Sequence, residues 1–270
     1  MPLRDWNISI NYGIKTGFNE AFIITGSKKD ELISADPKSA EIIRPILRGR
    51  DIKRYTYDFS DSWLIYVPWH FPLENDETIT GASADAELSF KEQYPAVYNH
   101  LLSYKNDLSK RNKAETGIRY EWYALQRWGA KYKDDFSKQK IVWGNLCLSA
   151  QYTIAEEGFF INAPSPFIAG GSKYMLAAMN SKISDWYIRH LGVTRNGGYF
   201  EYKPMFVEKL PIPIVDKNVK TKFEDIVDVI IDKKKKGDNT SDLEQEIDKM
   251  LYDLYGFTPE ETEHIENYDC

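Results

Sequence analysis

Short runs of β-branched and aromatic residues, each closed by a turn former, predict strands over residues 8–12, 21–25, 63–67, 141–148, 152–155 and 159–162. The turns fall at 13–17, 149–151 and 157–158. Apolar residues spaced by three and four predict helices over 28–34, 37–47, 86–108 and 173–191, the third broken or restarted at Pro95. In the fourth, Leu176, Met179, Ile183, Trp186 and Tyr187 form one stripe, read as a core-facing side. After Pro211-Ile212-Pro213 the character changes. Phe223, Ile226, Val227, Ile230 and Ile231 mark a helix that ends in Lys233–Lys236 and Gly237, where basic groups suit the negative end of the helix dipole. Ser241-Asp242-Leu243-Glu244 reads as a capping box opening a second helix, stopped at Gly256. Thr258-Pro259-Glu260-Glu261 starts a third.

A length of 270 residues allows one large domain or two modest ones, and 42% hydrophobic with 14% aromatic residues suffices for a packed core. The longest apolar runs, such as 141–148, fall far short of the roughly 20 residues that span a bilayer. The first residues, MPLRDWNISI, lack the apolar stretch of a signal peptide. Cys147 and Cys270 make no disulfide framework and no metal-binding pair, so a reducing cytoplasm is the expected setting.

Net charge is −6, but its distribution is uneven. From Asp216 onward there are 16 acidic and 8 basic residues, a net of −8, which leaves +2 on the first 215. Positive charge concentrates at Arg44, Arg48, Arg50, Lys53 and Arg54, and again over 105–140, where ten basic residues face five acidic ones. Such local faces, and not the global balance, decide whether phosphates can be neutralised.

Catalytic patterns are scarce. There is no glycine-rich phosphate loop and no nucleophile elbow, and His70, His100, His190 and His264 are scattered without metal-ligand spacing. Glu201-Tyr202-Lys203, with Asp185 upstream, matches half of a Mg²⁺-dependent nuclease pattern, but a two-residue match arises often by chance. Ala163-Pro164-Ser165-Pro166-Phe167 has the outline of an amino-methyltransferase loop without the amide or carboxylate that would hold a target amino group.

Several segments in order carry a resemblance. Gly13-Ile14-Lys15-Thr16-Gly17-Phe18-Asn19-Glu20-Ala21-Phe22 precedes Ile42-Ile43-Arg44-Pro45-Ile46-Leu47-Arg48-Gly49-Arg50-Asp51-Ile52-Lys53-Arg54-Tyr55. Met179-Asn180-Ser181-Lys182, Gly197-Gly198-Tyr199-Phe200 and Glu208-Lys209-Leu210-Pro211-Ile212-Pro213 follow. Over roughly residues 6–265 the chain resembles the TaqI-like C-terminal specificity domain of DNA adenine methyltransferases, typical of single-chain type IIG restriction enzymes. The resemblance implies an α+β fold, with a curved, mostly antiparallel sheet, packed helices and a C-terminal helical segment. It also implies a DNA target-recognition domain over 1–215 followed by an acidic helical segment over 216–270. Its partners would be double-stranded DNA and the methyltransferase and nuclease domains of a parent enzyme. S-adenosylmethionine and Mg²⁺ would bind those domains, with no cofactor or metal held here, and the chain would be an excised domain or a separate subunit.

Recognition needs cations for phosphates and amide or planar groups for base edges. The expected phosphate contacts are Arg48, Arg50, Lys53 and Arg54, in a stretch that also reads as a solvated turn. Arg119, Tyr120, Trp122 and Arg127 supply cations and aromatics densely, although the same run reads equally as a buried aromatic strand. The glycines of 13–17 read as turn formers, from which Thr16 or Asn19 could reach DNA. Arg195, Asn196 and Tyr199 lie in 192–202, either a DNA-facing loop or a plain Asn-Gly hairpin turn. The rival readings are a stand-alone Mg²⁺-dependent nuclease using Glu201 and Lys203, and a protein-interaction module.

Overall fold

The strand Lys140–Trp143 is buried along its whole length, which a sheet allows only when both faces are covered. In the computed structural model, which describes residues 1–268, it lies inside a four-stranded antiparallel sheet between Pro166–Ala169 and Tyr152–Ala155, with Ile10–Tyr12 at the far edge. Side chains alternate across such a sheet. Val142 and Phe167 enter one apolar cluster with Phe22, Ile46, Phe90 and Tyr123. Ile141, Trp143, Tyr152 and Ile168 enter a second with Leu176, Phe223, Ile230 and Leu251.

The first cluster is closed by another four-stranded sheet. Its order is Phe160–Ile161, Ile43–Leu47, Ser62–Ile65 and Ile23–Thr25, and helices Ala84–Gln93 and Pro95–Leu102 add Phe90, Val97 and Leu101 to the same core. A three-stranded sheet joins the hairpin Thr194–Arg195 and Tyr199–Glu201 to Leu146–Cys147, and Ile52–Lys53 pairs with Thr56–Tyr57. Among the described strand pairs only Phe160–Ile161 with Ile43–Leu47 runs parallel. The α+β class is therefore the observed one, with the strands divided among four sheets.

Several expectations need correction. Residues 37–47 do not form a helix: a 3-10 turn, Pro37–Glu41, gives way to the strand Ile43–Leu47. The β-branched Ile42, Ile43 and Ile46 suit a pleated surface, and Pro45 cannot sit in a helix interior. The strand expected over 141–148 splits after Trp143, and Pro166–Ala169, read only as a failed loop motif, is a central strand. The long helix breaks into Lys173–Asn180 and Lys182–Leu191. Buried Asn180 turns its amide to the Tyr152 backbone, accepting from its N at 3.0 Å and donating to its O at 2.9 Å, while Ser181 caps the second piece through Ser184 N. Such side-chain bonds compete with the helix ladder.

Helices Lys217–Lys236, Ser241–Tyr255 and Pro259–Glu266 match the expected tail, with Gly237 and Gly256 as left-handed stops at φ 79° and 70°. The second helix is capped differently from expectation. Asn239 takes the Ser241 N–H at 2.9 Å, and Glu244 turns away to Lys234, Thr240 and Arg54. Phe223, Ile247, Leu251 and Ile265 share one apolar cluster with Leu176 and Met179, so the packing is continuous across residues 215–216. No described helix is long and apolar enough to cross a membrane. Cys147 is a buried free thiol, its pKa pushed up to about 12 by burial; Cys270 lies outside the described residues.

Two cations of the basic stretch 105–140 prove to be interior. Lys140 is fully buried and donates to the carbonyls of Phe136 and Phe159 at 3.0 Å each and of Glu156 at 3.3 Å; burial lowers its pKa to about 8. Arg111 likewise serves backbone carbonyls. Neither contributes to a phosphate-binding face.

Candidate nucleic-acid interface

The break after Trp143 makes the site. At Gly144-Asn145 the chain leaves the central sheet, and Leu146–Cys147 then pairs with the hairpin strand Tyr199–Glu201. Tyr202 N donates to Asn145 O at 3.0 Å and the Trp143 indole to Tyr202 O at 2.7 Å, fixing the hairpin beside the break. The opposite wall is the turn Gly49–Asp51 with Ile52–Lys53. Between them lies an open cleft of 510 Å³ that includes Arg50, Lys53, Asn145, Gln151, Asn162 and Tyr199.

Asn162 and Ala163 form part of this cleft and also of a neighbouring hollow of 450 Å³ containing Lys15, Thr16 and Asn19. The two adjoin at Asn162-Ala163 and together are referred to as the furrow. Its floor is held by backbone bonds, with Asn162 N on Leu47 O and Ala163 N on Ile14 O, both 2.9 Å. Gly13 lets this floor close up, because a Cβ there would sit 2.3 Å from Ile161 O. Lys15, exposed on the rim, exchanges backbone bonds with Arg127 at 3.0 and 2.9 Å, which brings the 119–127 stretch to the same end of the furrow.

The expected contact residues separate clearly when placed on this geometry. Arg50 has a side chain 71% exposed, with its nearest carboxylate, Asp51, at 4.0 Å, and Lys53 is exposed with its ammonium on Arg50 O. Both stand free on the wall. Arg48 is folded back, its Nε and backbone N on Asp51 and its Nη2 on Ser60 Oγ at 2.7 Å, so it mainly builds the turn. Arg54 is turned inward to Glu244 and the Asn180 carbonyl, and its expected phosphate contact is corrected to an internal ion pair. Asn19 is exposed, whereas Thr16 is buried, its hydroxyl donating to Asn19 Oδ1 at 2.6 Å. Thr16 therefore positions Asn19 and does not itself reach outward.

Tyr120 and Trp122 are core residues, a second correction. Tyr120 stacks on Trp69 at 4.7 Å, and the Trp122 indole donates to Glu87 at 2.7 Å. For these aromatics the buried reading holds, but the run forms turns and single bridges where a strand was expected. Arg119 and Arg127 remain exposed and share Glu115, at 3.0 and 2.8 Å; Arg127 first and then Arg119 keep that carboxyl below the ordinary carboxylate range. In the hairpin, Gly197 and Gly198 both have positive φ, Asn196 is exposed, and Tyr199 is 42% exposed over the cleft. Arg195 Nε donates to Glu201 at 2.6 Å, leaving half of its side chain in solvent. Residues 192–202 are thus a hairpin turn in form, placed at the rim of the furrow.

The nuclease pattern does not assemble. Glu201 is buried between Lys203 and Arg195, which hold it below the ordinary carboxylate range. Asp185 accepts from Arg189 at 2.8 Å and Ala150 N at 2.7 Å. Glu201 is taken up by two partly exposed cations and Asp185 by interior donors, and among the described residues no group of metal-binding side chains forms. Sequence reading missed Lys15, Asn145, Gln151 and Asn162. Isolated amides carry no pattern, and only the fold gathers them.

Comparison with known proteins agrees with this architecture. The chain is 22% identical over 249 residues to the type II methyltransferase M.MjaIV of Methanocaldococcus jannaschii, covering 90% of this chain and 77% of that protein. Among solved structures it superposes on the type IIL restriction–modification enzyme MmeI, solved in complex with DNA, with a TM-score of 0.68 at 14% identity. It also superposes on the type IIG restriction endonuclease BpuSI with a TM-score of 0.50 at 14% identity. The chain spans 35% and 31% of those two larger chains. The model of the TaqI-like C-terminal specificity domain matches residues 44–212, more than half of the chain, and the protein belongs to that family of restriction–modification target-recognition domains.

Proposed function

We propose that this chain binds double-stranded DNA at a specific sequence, as the recognition module of a restriction–modification enzyme. It would hold the duplex so that a methyltransferase domain receives one adenine for N6 methylation and a nuclease domain cuts at a set position. S-adenosylmethionine and Mg²⁺ would be bound by those partner domains. The observation that carries this reading is the furrow, in which the exposed cations Arg50 and Lys53 flank amides that have no hydrogen-bond partner among the described residues. Exposed cations suit phosphates, which fix the register of a protein on DNA, and amides suit base edges, which specify sequence. Arg119, Arg127 and Lys15 at one end, and Asn196 with Tyr199 at the other, would extend the contact. The overall negative charge is compatible with this, since a local cluster of exposed cations, and not the net charge, decides whether phosphates are neutralised.

In the double variant Arg50→Ala/Lys53→Ala, the slope of log affinity against log salt should flatten by about two, with affinity reduced for all duplex sequences alike. Thermal stability should stay within about 0.5 kcal/mol, because both side chains are exposed. A salt series by fluorescence anisotropy checks this, and an unchanged slope would remove the phosphate-binding role from this wall.

A further inference from the structure

Amide side chains elsewhere in the fold are often satisfied internally. Asn11 donates to Asp135, Asn180 closes on Tyr152, and Asn112 reaches Glu115. In the cleft the opposite holds. Among the described residues the side chains of Asn145, Gln151 and Asn162 have no hydrogen-bond partner, although none of the three is fully exposed. The Asn145 Oδ1 atom is buried and still unpaired. A buried acceptor without a partner costs about 1–3 kcal/mol unless water or a ligand completes it.

Resting on the DNA-binding reading above, we propose that Asn145, Gln151 and Asn162 form a base-reading subsite selective for adenine in the major groove. The chemistry of the donor set decides the base. An amide offers one acceptor and one donor side by side, which matches the adenine N6 donor and N7 acceptor. Guanine shows two acceptors, N7 and O6, and is met best by a bidentate arginine. The cations near this cleft are not set for that role. Lys53 is held on Arg50 O, and Arg50 stands 71% exposed on the rim, where a phosphate is the nearer partner. The amides lie deeper, on three different segments. Asn145 is set by the sheet break and Asn162 by its bond to Leu47 O, while Gln151 immediately precedes the strand Tyr152–Ala155. Anchored backbones of this kind hold base contacts in register better than a flexible loop does.

The test uses the full chain and duplexes selected from a pool with a randomised centre. Wild-type protein should retain a consensus containing at least one fixed adenine that Gln151→Ala or Asn162→Ala no longer requires. Affinity of either variant for the selected duplex should fall about tenfold or more. The salt slope and melting temperature of each variant should remain those of the wild type. Independently of any variant, replacing that adenine with 7-deazaadenine should weaken wild-type binding by a similar factor, since it removes only the N7 acceptor. A consensus unchanged by both substitutions, or a loss confined to guanine positions, would overturn the adenine subsite while leaving DNA recognition standing. Failure of the wild type to select any sequence would remove the recognition reading, and this subsite with it.

Discussion

Replacing Arg111 with Met should lower the unfolding free energy by about 3–5 kcal/mol and the melting temperature by on the order of 10 °C. Arg111 is buried and has no carboxylate partner among the described residues. Its guanidinium instead donates to the carbonyls of Leu108 at 3.0 Å, Trp122 at 2.7 Å, Ala124 at 2.8 Å and Thr16, and packs over the Phe22 ring. Burial lowers its pKa to about 10, which leaves it charged at neutral pH. Methionine keeps much of the volume but leaves those acceptors unpaired in a low-dielectric interior. One of them, Thr16 O, belongs to the turn that carries Asn19, so the same change should also loosen one end of the furrow. Chemical denaturation measures the effect, and a loss below about 1 kcal/mol would show that the carbonyls find other donors.

Arg54→Ala should cost about 2–4 kcal/mol and leave the salt slope of DNA binding unchanged. Arg54 donates to the Glu244 carboxylate, to Asn180 O and, at 3.4 Å, to Ala150 O, and so ties the acidic C-terminal helices to the main body. Burial alone would raise the Glu244 pKa; Arg54, Thr240 and Lys234 outweigh it and hold the carboxyl below its ordinary value. Asp248, raised to about 6 by burial, lies within the same electrostatic environment. Without Arg54, the buried Asp248 loses a nearby cation and the partly buried Glu244 keeps, among the described residues, only the cation Lys234, at 3.0 Å. Hydrogen exchange across Ser241–Tyr255 should accelerate in the variant. A salt slope reduced by about one with stability intact would return Arg54 to the phosphate face.

Why the sequence placed Arg54 with Arg50 is instructive. Five cations within a few residues look alike in one dimension, and only tertiary partners distinguish them. Arg48 is committed to Asp51 and Arg54 to Glu244, 190 residues away, which leaves Arg50 and Lys53 outside. The same limit explains Tyr120 and Trp122, since an aromatic–basic run describes a DNA face and a core strand equally well. Tail helices were legible because their stripes, glycine stops and the Thr258 capping box are local signals. The break at Asn180-Ser181 was not, because its cause is a bond from Asn180 to a strand 28 residues earlier. The amides of the cleft were invisible for the same reason, being drawn together from three segments by the central sheet and its break.

The central claim is that the chain itself selects a DNA sequence. Incubating the purified chain with a pool of duplexes randomised at their centres, recovering the bound fraction over several rounds and sequencing it, tests that claim most directly. The account predicts convergence on one short consensus that Arg50→Ala/Lys53→Ala binds more weakly without changing its bases. A recovered pool indistinguishable from the input would contradict it.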